Sequence, residues 1–212
     1  MTKPFVYTAI GDSLTFGTGA TASKGFAHLI SEQLAKTHPL LEQHLHGVVG
    51  AVTQETLDRI LTDRTLREQV AGSDLITVTT GGNDLIQAAL KMYVEGASRS
   101  MKPLMREFAL AFDRLIFEIA SLIGVTAGEG PRIVVAESYN PFPQFSDAVL
   151  WVNFVNRCIH RTAARFGNKV AVARVYEAFL NREDELLSND SIHPNDQGHE
   201  VLSACVKRAL SC

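Results

Sequence analysis

Cysteine is scarce in this chain, and all of it lies late: Cys158, Cys205 and Cys212 among 212 residues. Three thiols gathered in the last third cannot staple a small secreted scaffold. None falls in a Cys-x-x-Cys pair, so neither a disulfide framework nor a cysteine-built zinc or redox site is expected. Cys158 and Cys205 sit in apolar, helix-like surroundings that predict buried thiols, and Cys212 is expected to be free. Net charge is small as well, −3 from 20 basic and 23 acidic residues. The basic residues are scattered, which gives no electrostatic footprint for nucleic acid or an anionic membrane. Long apolar runs are missing too. The richest stretch, Leu110 to Gly124, is broken by Asp113, Arg114 and Glu118, a spacing that fits an amphipathic helix and not a membrane span. The early run Phe5–Ile10 is short and already leads into a candidate functional motif. It is therefore not read as a secretory leader, and a cytoplasmic setting is expected.

What is present is ordinary for a globular protein: 46% of residues are hydrophobic and 20% charged. No linker, composition break or internal repeat divides the chain, so residues 1–212 are read as one domain with a proper core. Short apolar or β-branched runs near 5–11, 43–49, 74–80, 131–137 and 169–174 read as strands. Helical periodicity appears near 25–37, 54–62, 84–95, 101–123, 147–166 and 195–210. Strands alternating with helices predict βαβ units around a parallel sheet. Ser146-Asp147 reads as a helix start whose short polar side chains could cap free N–H groups. Residues 96–103 are expected to loop between two helices, and Gly124 to Pro131 to form a helix-ending turn.

Ligands of open parallel sheets gather at the carboxyl ends of the strands. Ser13, Gly50 and Asn83 each fall just past such an end, and Asp190 and His193 lie in the polar loop before the last helix. Those residue types suit acyl transfer. A serine hydroxyl needs a base to take its proton, and His193 serves if a carboxylate such as Asp190 fixes its tautomer. The developing oxyanion needs donors already aimed at it, and the N–H groups of Ser13 and Gly50 and the Asn83 side chain are the candidates. Each residue also has a plain structural role. Asp190 could cap a turn ahead of Pro194, Gly50 could simply end a strand, and Asn83 could take a left-handed turn. For Asp12 a hydrogen bond that shapes the local turn is expected.

Two rival chemistries are weaker. Gly17-Thr18-Gly19-Ala20-Thr21-Ala22 fits a loose dinucleotide-loop pattern but is displaced from the strand end, with His44 and His46 where an acidic ribose partner belongs. His44 and His46 alternate on one strand face, yet no third metal ligand is evident. His199 is expected on the polar side of the last helix. No cofactor or metal is expected.

Gly11-Asp12-Ser13-Leu14, Gly50, Gly81-Gly82-Asn83-Asp84 and Asp190-Ser191-Ile192-His193 together resemble the four signature blocks of the SGNH (GDSL) hydrolase family, in family order and across most of the chain. The resemblance implies a flavodoxin-like three-layer α/β/α sandwich with a five-stranded parallel sheet, and metal-free ester hydrolysis. Ser13 would be the nucleophile, His193 the base, Asp190 its orienting acid, and Ser13, Gly50 and Asn83 the oxyanion donors. One departure is that Leu45 stands where members often carry asparagine. The family is broad, so the expected serine esterase or lipase has carbohydrate O-deacetylase, acyl thioesterase and a catalytically silent binding module as alternatives. Leu14, Phe16, Leu85, Ile86 and Ile192 flank the candidate residues and could line an acyl pocket, with Tyr139-Asn140-Pro141-Phe142-Pro143 as a further wall. A small or lipid-like acyl ester is the expected partner.

Overall fold

The computed structural model describes residues 3–95, 101–124 and 132–211. In chain order it runs β1 (Phe5–Gly11), α1 (Ser13–Phe16), α2 (Phe26–Ala35), β2 (Leu41–Gly47), α3 (Thr53–Thr62), α4 (Arg64–Gly72), β3 (Leu75–Thr79) and α5 (Gly82–Glu95). It continues with α6 (Lys102–Leu122), β4 (Ile133–Ala136), α7 (Ser146–Ala164), β5 (Val170–Ala173), α8 (Val175–Phe179), α9 (Glu183–Leu186) and α10 (Asp196–Leu210). All strand pairs are parallel, in the order β2-β1-β3-β4-β5. The expected α/β class and five-stranded parallel sheet are what the fold has.

Alternation along each strand feeds two separate cores, as the two-residue period of a pleated sheet requires. Ile10, Ile76, Val78, Ile133, Val135 and Val170 face one core with apolar residues of α3 to α7. Tyr7, Ala9, Leu75, Val134, Ala136 and Ala173 face the other, against α2, α8 and α10. The sheet is thus covered on both sides, in three layers. Cys158 and Cys205 are buried in opposite cores, as expected.

Several boundaries differ from the sequence reading. β2 ends at Gly47 rather than 49, because its register follows β1 from Phe5↔Leu41 to Gly11↔Gly47. Val48 and Val49 extended the expected strand, yet they are exposed past its end. α4 was not foreseen. Only Leu66 and Val70 of its residues are buried, too sparse a stripe for periodicity, although the Asp63 carboxylate caps it through the Leu66 N–H. Ser146 begins α7, but no side chain caps that helix. The expected 96–103 loop lies outside the described residues as far as Ser100, and α6 starts at Lys102. Beyond Gly124 the expected turn, and Cys212, also lie outside them.

Candidate active site

The chain crosses from β1 to β2 on one side and returns to β3 on the other, so the carboxyl ends of β1 and β3 flank the crevice where such sheets bind ligands. Ser13 opens α1 directly after β1. The turn is tight: Gly11 has φ +152°, and a Cβ there would collide with the backbone oxygen and hydroxyl of Thr79. Asp12 accepts the Leu14 N–H at 3.0 Å and the Thr79 hydroxyl at 2.8 Å. Burial pushes its carboxyl above the usual range, and those hydrogen bonds work against the push. The expected turn-shaping role of Asp12 is the one it has.

On the far side of the site, Asp190 organises its own loop. One carboxylate oxygen accepts the Ser188 hydroxyl and the N–H groups of Ile192 and His193. The other lies 2.6 Å from His193 Nδ1. Partial burial would raise the Asp190 carboxyl, but these four donors outweigh it and hold it well below the ordinary carboxylate range. An ionised acceptor at Nδ1 places the ring proton there, which leaves the Nε2 lone pair for the Ser13 hydroxyl. Nε2 lies 2.9 Å from Ser13 Oγ. Three residues up to 180 positions apart therefore form one hydrogen-bonded line.

Other contacts fix the histidine loop. The Tyr139 hydroxyl donates to the Ile192 carbonyl at 2.5 Å, and Tyr139 stacks on Phe179. Gly19, at φ +92°, lies against the backbone of Pro194, and its Cβ would come within 3.0 Å of His193 Cβ. The glycine pattern that suggested a nucleotide loop is thus a close-packing device behind the histidine. His199 corrects the reading that placed it on a polar helix face. It is fully buried, its Nδ1 accepts the Phe26 N–H at 3.2 Å, and its Nε2–H donates to the Thr18 carbonyl at 3.0 Å. Burial holds its ring below the ordinary histidine range.

Asn83 heads α5 and donates through Nδ2 to the Ala51 carbonyl at 3.0 Å, so it leans over the segment after β2. A second Nδ2 hydrogen remains for another acceptor. Asp84 accepts both the N–H and the hydroxyl of Thr53, tying α5 to α3. Gly50 sits one residue before Ala51, exposed, at φ +83°, and does not line the cavity. Among the described residues no backbone hydrogen bond occupies the N–H of Ser13 or of Gly50.

A cavity of about 340 Å³ runs from Ser13 and His193 between α5 and α7. Leu14, Leu85, Ile86, Tyr139, Phe142 and Ile192 line it as expected. Phe142 is presented by a turn in which Asn140 Oδ1 accepts the Phe142 N–H. Phe16 is a correction, since it is 62% exposed and absent from the lining. In the single turn of α1, Thr15 faces inward and bonds Thr79, which leaves the next side chain turned to solvent. Ala89, Leu90, Ala148, Trp151 and Val152 add further apolar lining, and Thr79, Thr80, Glu137 and Ser138 add polar groups to it. They were missed, although Leu85/Ala89 and Ala148/Val152 share the i, i+4 spacing of one helix face. Among the described residues no group of three or more His, Cys, Asp or Glu side chains could hold a metal ion. His44 pairs with Glu42, and His46 bonds Gln69.

A doubly covered parallel sheet with this serine, asparagine and histidine at its carboxyl edge is the layout of an SGNH-type hydrolase. Residues 9–201 match the GDSL-like lipase/acylhydrolase family. The chain belongs to that family, and it is an ester hydrolase. It is 30% identical to the spore germination lipase LipC of Bacillus licheniformis, over 96% of this chain and 95% of that protein. The crystal structure of the lipase Lip_vut3, from a goat rumen metagenome, superposes with a TM-score of 0.85 at 28% identity, covering 97% of each chain. A catalytic mutant of Axe2, an acetylxylan esterase from Geobacillus stearothermophilus, shares the fold at a TM-score of 0.70 and 17% identity, over 100% of this chain and 97% of that one.

Proposed function

We propose that this protein is a serine esterase of lipase type that cleaves apolar acyl esters through an acyl-enzyme. The observation that carries the reading is the unbroken hydrogen-bond line from Asp190 through His193 to Ser13 at the head of an apolar cavity. Ser13 Oγ attacks the acyl carbon while its proton passes to His193 Nε2, and the ionised Asp190 stabilises the imidazolium that results. The tetrahedral oxyanion is received by the N–H groups of Ser13 and Gly50 and the remaining Nδ2 hydrogen of Asn83. His193 then returns the proton to the departing alcohol. In the second half-reaction it draws a proton from the water that attacks the acyl-serine, then returns it to Ser13 Oγ as the C–Oγ bond breaks and the carboxylic acid leaves.

The substrate preference rests on the cavity. Its walls are mostly aliphatic and aromatic, which suits an acyl chain better than a hydroxyl-rich sugar. The likeness to a spore germination lipase points the same way. The test is hydrolysis of p-nitrophenyl esters from acetate to palmitate by the wild type and Ser13→Ala. A wild-type rate that vanishes in Ser13→Ala supports the proposal, and equal rates in the two proteins refute it.

A further inference from the structure

Trp151 is the single tryptophan of the chain, and it lines two different hollows. One is the cavity of about 340 Å³ that begins at Ser13. The other is a groove of about 580 Å³ between α6 and α7, walled by Met101, Met105, Leu110, Leu150 and Phe154, with Arg106, Arg157 and Arg161 along it. Among the described residues no other is shared between the two linings.

Helix geometry explains the position. With about 100° of rotation per residue, Ala148 and Val152 fall on one side of α7 and face the cavity. Leu150, Phe154, Arg157 and Arg161 recur every three or four residues on the other side and face the groove. Trp151 falls between the two stripes, half-buried, with its indole beside both spaces.

We propose that Trp151 is the end wall of the acyl site and sets the longest acyl chain the enzyme accepts. The inference rests on the reading that the acyl chain of the substrate occupies the cavity at Ser13. A chain entering there runs between the α5 residues Leu85, Ala89 and Leu90 and the α7 residues Ala148 and Val152. It then meets the indole. An indole is among the largest side chains available to plug a channel. Taking it away joins the cavity to a groove whose near walls are also apolar, so the distal methylenes of a longer chain find apolar contact beyond the old end. One methylene more or less in a hydrophobic pocket already changes specificity by about tenfold or more.

The experiment measures kcat/KM for p-nitrophenyl esters from butyrate to palmitate in the wild type, Trp151→Ala, Trp151→Phe and Ala89→Phe. The readout is the palmitate-to-butyrate ratio within each protein, which is insensitive to the amount of folded enzyme. Trp151→Ala is expected to raise that ratio at least about tenfold, and Trp151→Phe to raise it less. Ala89→Phe, which narrows the cavity ahead of the wall, is expected to lower it. A ratio unchanged in both Trp151 variants while Ala89→Phe lowers it overturns the wall and leaves the acyl cavity standing. A ratio unchanged in all three variants, with hydrolysis still dependent on Ser13, places the acyl chain elsewhere and overturns the inference with the cavity reading. If Trp151→Ala does not fold, Trp151→Phe decides alone: a raised ratio supports the wall and an unchanged one overturns it.

Discussion

His193 and His199 stand six residues apart, and each reaches back some 180 residues to the start of the chain. Both use both ring nitrogens, yet their surroundings make them opposite devices. His193 sits between a carboxylate and a hydroxyl, with Asp190 at Nδ1 and Ser13 at Nε2. His199 sits between two backbone groups, the Phe26 N–H and the Thr18 carbonyl, in a fully buried pocket. There a proton would put an unpaired charge in the core and would compete with the Phe26 N–H for Nδ1. On the proposed mechanism the first histidine moves a proton, whereas the second holds one fixed between backbone groups. What separates a base from a strut is the chemistry of its two partners.

The contrast breaks most sharply at the line of three residues. Ser13→Ala or His193→Ala should lower kcat by about 10⁴–10⁶, with thermal melting close to wild type, because each removes a transition-state role rather than core packing. Steady-state kinetics beside a melting curve checks both halves. Asn83→Ala should cost about 10²–10³ in kcat if its amide meets the oxyanion, with KM little moved. A rate within a few-fold of wild type would leave Asn83 only its bond to Ala51.

His199→Leu should show the reverse pattern. Loss of the imidazole leaves the Phe26 N–H and the Thr18 carbonyl without partners, at about 1–3 kcal/mol for each buried group. Denaturant unfolding should register that loss, while kcat of the folded protein stays near wild type. A smaller effect follows from the ring's titration. The folded protein holds His199 below its ordinary value, so the unfolded chain binds more protons there. Stability tied to His199 is therefore full above about pH 6.5 and falls as the pH drops through the lowered folded value. Unfolding free energies at pH 7 and pH 5 should differ more in the wild type than in His199→Leu. The smallest effect belongs to Phe16→Ala. This exposed side chain lies outside the cavity, so stability should shift by no more than about 0.5 kcal/mol, with the chain-length profile unmoved.

The same pair shows how far the sequence could be read. Four short motifs in order sufficed for the family and for Ser13, Asp190 and His193, now found in one line, while strand-like runs alternating with helical ones sufficed for the sheet. His199 carries no such signal. Its neighbours Asp196, Gln197 and Glu200 are polar, and only the packing of α10 against α2 shows that its side chain turns inward. Phe16 failed for a related reason, since a four-residue helix is too short for its apolar face to be read from spacing. The cavity walls on α5 and α7 carried a readable i, i+4 pattern. Core packing gives the same pattern, and only the fold separates the two uses.

The most direct test of the central claim is covalent labelling with a serine-directed p-nitrophenyl phosphonate, read by mass spectrometry of the intact protein and its peptides. One phosphonyl group per wild-type chain is expected, on Ser13, and none on Ser13→Ala or His193→Ala. Labelling that persists in Ser13→Ala, or an adduct on any other residue of the wild type, would contradict that claim.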